Sequence, residues 1–207
     1  MTKFGILILV FFFLGNLFSQ EEIWMHPNRG QWHQNIEYKI NVPGGHLFLE
    51  KGGFTYNFNN LGELYDHSHT GESHDEFEGH AVKTTFLGAN LQPVFEEIEN
   101  AEFYENYFLG NDTTKWKYNI YPCHQVDDLS LYDGINLSIY ERNATLKYDI
   151  IVEAGTNPGL FKVKYEGQDA IEITEDGELL ISTSLATITE SKPYAYQIKN
   201  GLKSKVL

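Results

Sequence analysis

Four histidines and five carboxylates crowd into residues 66–80, whose one large apolar side chain is Phe77. Imidazole and carboxylate are good ligands for zinc and other transition metals. His67 and His69 stand two apart, so on an extended chain they share a face. A catalytic zinc site fixes its ligands on rigid elements, as in a His-x-x-x-His helical pair. Here Gly71, Gly79 and several serines surround the ligands instead. The segment therefore reads as a solvated acidic loop. Its metal candidates, His67, His69 and His74, make a weak or adventitious divalent-metal site, and no resident cofactor is expected. His80 differs, because it begins a strand pattern, and a structural hydrogen-bonding role is expected for it.

Other candidates carry less chemistry. Asn111, Asp112 and Thr113 offer oxygen ligands for calcium, but the spacing of an EF-hand loop is absent. A Gly-Asn-Asp run after an aromatic strand reads as a turn. The single cysteine, Cys123, cannot close a bridge within the chain. His124 adjoins it, but neighbours on a strand point to opposite faces, so Cys123 reads as buried or incidental. Three tryptophans and 13 tyrosines would supply sugar-stacking platforms if exposed. Trp32 and Trp116 sit beside apolar strands and are expected to pack. A glycosidase needs two carboxylates facing each other across a cleft, and 29 acidic residues single out no pair. Neither a Gly-x-Ser-x-Gly elbow nor a glycine-rich phosphate loop is present. No catalytic residue is assigned.

The elements that position these residues are strands. Ile36, Tyr38, Ile40 and Val42 alternate with polar residues, as a half-buried strand requires. Pro43-Gly44-Gly45 and Gly52-Gly53 punctuate two further runs, 46–50 and 54–58, giving a meander. Strand patterns follow at 81–87, 94–98 and 103–109. Residues 113–134 are the least regular, and 96–104 is the best candidate for a helical turn. The last third alternates cleanly at 135–139, 146–152, 161–165, 171–173, 179–183, 186–189 and 194–198. Glu175-Asp176-Gly177-Glu178 is a hairpin turn. Twelve to fourteen short strands without helical periodicity predict an all-β fold. The form expected is an antiparallel β-sandwich, in one unit or two stacked β subdomains, with one His/acid-rich loop.

Composition bounds the partners. With 15 basic and 29 acidic residues the formal net charge is −14. Such a surface does not bind nucleic acid through phosphates, and cations are its natural counterparts. The first 19 residues read separately. Lys3 precedes an apolar run from Ile6 to Leu14, and Gly15, Asn16 and Ser19 break it before Glu21-Glu22. That is the layout of a signal peptide cleaved beside Ser19 or Gln20, and the run is short for a membrane span. The expected organisation is a signal peptide at 1–19, a β-sandwich at 20–198, and at 199–207 a tail or the start of a following module.

Several phrases occur together in order. They are Asn28-Arg29-Gly30-Gln31-Trp32, Pro43-Gly44-Gly45 with Leu47-Phe48-Leu49, and Gly79-His80-Ala81-Val82 with Phe86-Leu87-Gly88-Ala89-Asn90. Next come Asn106-Tyr107-Phe108-Leu109-Gly110-Asn111-Asp112 with Lys115-Trp116, and Tyr132-Asp133-Gly134-Ile135. Leu146-Lys147-Tyr148-Asp149 and Lys192-Pro193-Tyr194-Ala195-Tyr196-Gln197 close the series. Jointly they resemble the N-terminal domain, of unknown function, of large cell-surface proteins from gliding bacteria. Those proteins continue into SBBP-type β-propeller repeats or Ig-like modules and end in gliding-motility-associated or type IX secretion sorting domains. The resemblance implies an exported, all-β, non-enzymatic module, secreted or held at the cell surface. Its partners would be other extracellular domains or surface proteins. The function expected is assembly or adhesion; the alternatives are a secreted glycan- or divalent-metal-binding module and, third, a hydrolase.

Overall fold

Strict alternation of apolar and polar residues makes the meander. β3 (Ile36–Val42), β4 (Gly45–Glu50) and β5 (Gly53–Asn59) pair antiparallel in sequence. Gly44 and Gly52 take the turns at φ +77° and +76°, where glycine alone is unstrained. Every second residue then faces inward: Tyr38, Ile40 and Val42, then Leu47 and Leu49, then Phe54, Tyr56 and Phe58, all buried. The computed structural model describes residues 3–8, 22–60, 77–143, 145–199 and 202–206. His67, His69 and His74, and with them the expected weak metal site, lie outside the described residues.

The remaining strands extend the meander in both directions. β6 (Gly79–Phe86) pairs with β5, and β13 (Val163–Glu166) closes that side against β6. On the other side β2 (Met25–Pro27) joins β3 to β10 (Cys123–Tyr132). β11 (Ile135–Glu141) and β12 (Leu146–Glu153) follow, then β1 (Lys3–Ile8), β17 (Tyr194–Lys199) and β18 (Leu202–Lys205). β7 (Phe95–Asn100) also pairs with β10, completing a 13-stranded antiparallel sheet. β14 (Ala170–Ile173), β15 (Leu179–Ser182) and β16 (Thr187–Glu190) form a second sheet, and β8 (Glu105–Tyr107) with β9 (Lys117–Ile120) a third.

The long sheet curls until its two halves face each other. Phe54 on β5 and Tyr148 on β12 meet with ring centroids 5.8 Å apart. Ile181 and Ile188 of the three-stranded sheet belong to the same buried cluster. One core therefore joins the long sheet to the three-stranded one, and the all-β, antiparallel expectation is the observed fold.

Three local expectations need correction. Residues 96–104 are not helical: they are β7 and the link after it. Residues 113–134 are largely ordered as strand, in β9 and the ten-residue β10. The described strands number 18, more than twelve to fourteen, because several span only three or four residues.

Candidate functional site

The hairpin of β8 and β9 carries the main concentration of exposed aromatic surface among the described residues. The segment before β3 forms the seat for it. There the Asn28 amide donates to the Ile36 and His33 carbonyls at 2.7 and 3.0 Å, and its oxygen accepts from the Gly30 and Trp32 amides. Gly30 turns the chain at φ +102°. Buried Gln31 donates to the Pro27 carbonyl at 2.7 Å, and Arg29 reaches the Glu97 carboxylate at 2.6 Å. This closed loop sets Trp32 edge-on to Tyr107, with centroids 5.3 Å apart. Lys39 Nζ lies over the Trp32 ring, 5.8 Å from its centroid.

Along β8 the burial alternates, as a strand lying on a body requires. Glu105 and Tyr107 turn inward, while Tyr104, Asn106 and Phe108 turn outward. The Glu105 carboxylate accepts from His26 Nδ1 at 2.9 Å and from the Tyr107 hydroxyl at 2.5 Å. His26 is buried, and that burial lowers its pKa despite the neighbouring carboxylate. Burial, then Glu105, pushes the Tyr107 phenol upward. The His26–Glu105 pair thus ties the hairpin to β2.

At the turn of the hairpin the Asp112 side chain makes a local cap. Its Oδ1 accepts from the Thr114 amide at 3.1 Å and the Thr114 hydroxyl at 2.6 Å, capping the 3-10 turn Thr113–Lys115. These bonds hold its carboxyl below the ordinary range. Gly110 sits at φ +67°, and Trp116 Nε1 donates to its carbonyl. Phe108 is flanked by Trp116 and Tyr118, at 5.2 and 5.5 Å and nearly perpendicular to both. Nearby, Trp24 stacks on His124 at 3.6 Å and meets Phe103 edge-on, and Tyr104 meets Tyr121. Phe103, Tyr104, Phe108, Tyr118 and Tyr121 keep between 44% and 56% of their surface in solvent. Trp32 and Trp116 are half-buried and packed, as their neighbourhood in the sequence suggests.

Two other sequence candidates, His80 and Cys123, make contacts within the fold. His80 Nε2 donates to the Gly167 carbonyl at 2.7 Å, and its Nδ1 accepts from the Ser184 amide and meets the Ser184 hydroxyl. It pins β6 to two loops of the other half of the chain. Cys123 is fully buried, and its thiol points at the Met25 carbonyl. Burial, with Glu97 nearby, pushes that thiol up to about 12, so it supplies no thiolate nucleophile near neutrality.

One arrangement had no signal in the sequence. Glu190, only 5% exposed, is met by the Tyr165 hydroxyl at 3.0 Å and the Tyr148 hydroxyl at 3.2 Å. Burial raises its carboxyl pKa, and the two phenols partly offset that by donating to it. Among the described residues, no three or more His, Cys, Asp or Glu side chains cluster as a metal site would.

The family model described as Domain of unknown function (DUF7948) matches residues 25–207. No curated protein and no solved structure matches the chain.

Proposed function

We propose, for a chain that belongs to the family of domains of unknown function DUF7948, a non-catalytic role in assembly or adhesion. It would be an exported module of a secreted or cell-surface protein, of the kind that carries SBBP repeats and gliding-motility-associated domains. The observation that carries this reading is the β8–β9 hairpin, with Phe108 and Tyr118 half exposed on a rigidly seated element. Aromatic side chains that are fixed before binding and lose water on contact are what protein interfaces use as anchors. The hairpin is fixed by the His26–Glu105 bond, the Trp32–Tyr107 contact and the capped turn. A glycan platform needs ring faces open to the sugar. Here Phe108 stands perpendicular to both its neighbours, which favours a contoured protein surface as the partner.

The test is photo-crosslinking in intact producing cells. A benzoylphenylalanine at Tyr118 should give adducts to other surface proteins, and the same probe at Ile173, which is exposed on β14, should not. Adducts of equal yield at both positions, or at neither, would overturn the reading.

A further inference from the structure

We propose that the strand position between β12 and β17 is an acceptor slot for an extended segment of another polypeptide, open once residues 1–19 are removed on export. This rests on the exported reading above. In the structure β1 fills the position. Lys3 to Ile8 pair with Glu153 to Tyr148 on one side, and Lys3 to Leu7 pair with Ile198 to Tyr194 on the other. β12 and β17 do not pair with each other; β1 is the strand between them. As they stand in the structure, β12 and β17 are two inter-strand spacings apart, about 9.5 Å, and removing β1 leaves each without a partner on that side of the gap. Both walls of that gap are unpaired strand edges, which template a further chain.

The walls name the occupant. Only a polypeptide backbone presents alternating donors and acceptors to both edges at strand spacing, the mode of strand addition. The register states its side-chain pattern. Phe4, Ile6 and Ile8 stand opposite Val152, Ile150 and Tyr148, all three buried in the core. An occupant therefore needs apolar residues at alternate positions. Lys3, Gly5 and Leu7 stand opposite Glu153, Ile151 and Asp149, the less buried residues of β12, so polar or small residues are accepted between. The β17–β18 hairpin lies beyond the slot, and its pairing to the rest of the long sheet runs through β1. Filling the slot would thus also anchor this hairpin to the sheet.

The experiment uses the protein as its producing cell exports it. Intact mass first gives its N-terminus. A chain beginning near residue 20 is expected. Amide exchange is then followed with and without a peptide of sequence Lys-Phe-Gly-Ile-Leu-Ile, flanked by solubilising lysines. The peptide should slow exchange about tenfold or more at alternate amides of β12 and across β17. The same peptide with Pro in place of Gly5 should do neither. If the exported chain lacks residues 1–19 yet β12 is already protected, or the peptide does not bind, the slot has closed and the proposal fails while export stands. If the exported chain retains residues 1–19, the slot stays filled and the proposal fails; if no chain is exported at all, the export reading itself fails.

Discussion

Glu190 places a carboxylate where water is nearly absent, and two tyrosine hydroxyls stand in for that water. Glu190→Ala would leave both hydroxyls without an acceptor and open a cavity, so a loss of about 2–4 kcal/mol is expected in urea unfolding. Glu190→Gln keeps the shape and one acceptor oxygen, and should cost at least ~1 kcal/mol less than alanine. The pH dependence has a definite sign. Burial sets the folded pKa of Glu190 above its ordinary value of 4.5. The stability it contributes is then full below that value and is lost as pH rises through the folded pKa. Stability of the native protein relative to Glu190→Gln should therefore fall as pH rises above 4.5. His26 has the opposite sign. Its folded pKa lies below the ordinary 6.5, from burial opposed by Glu105 and reinforced by Lys39. Its contribution is full above 6.5 and is lost as pH falls through the folded value. Melting temperatures should drop as pH falls below 6.5, and His26→Gln should remove part of the drop. His46, lowered by burial and by Lys39, accounts for another part.

At the scale of elements, the meander depends on two glycines for closeness as well as for turning. A Cβ on Gly45 would lie 2.0 Å from the Asn57 carbonyl oxygen, and one on Gly53 2.1 Å from that of Thr84. Backbone cannot yield as a side chain does, so Gly45→Ala or Gly53→Ala must part β5 from a neighbouring strand. Each is expected to cost more than about 2 kcal/mol. Gly88→Ala meets nothing within 4 Å at φ +77° and should cost only the left-handed strain, about 1 kcal/mol. Denaturation midpoints of the three variants give the comparison. These strands were legible because one face is core and the other solvent, so burial and sequence share a period of two. β10 was not legible for the converse reason. Its buried residues Cys123, Val126, Asp128 and Leu131 do not alternate, the register shifts between Asp128 and Tyr132, and one of the four is a carboxylate. The site was legible only in part. Residues 106–116 read as an aromatic strand and a turn, but His26 meets Glu105 across 79 positions. Tyr148, Tyr165 and Glu190 come from β12, β13 and β16, and sequence order gives no sign that these strands converge.

For the whole molecule the open question was one unit or two stacked ones, and the core bears on it directly. Ile181 and Ile188 are fully buried in the three-stranded sheet, yet they belong to the cluster that holds Phe54, Tyr56 and Tyr148 of the long sheet. Glu190 at the end of β16 binds Tyr148 of β12 and Tyr165 of β13, and His80 of β6 binds the turn at Ser184. Two independently stable units would share neither apolar contacts nor buried hydrogen bonds on this scale. Unfolding should therefore be a single transition. Two probes report different parts of the fold. Trp24 and Trp32 lie against the β8–β9 hairpin and Trp116 is part of it, so tryptophan fluorescence reports that end. Far-ultraviolet circular dichroism reports all the strands. Ile188→Ala, in the three-stranded sheet, should cost about 2–5 kcal/mol and move both curves to the same lower urea midpoint. A fluorescence curve left in place while the dichroism curve splits would mean that the three-stranded sheet unfolds by itself, and that the shared core does not couple the two.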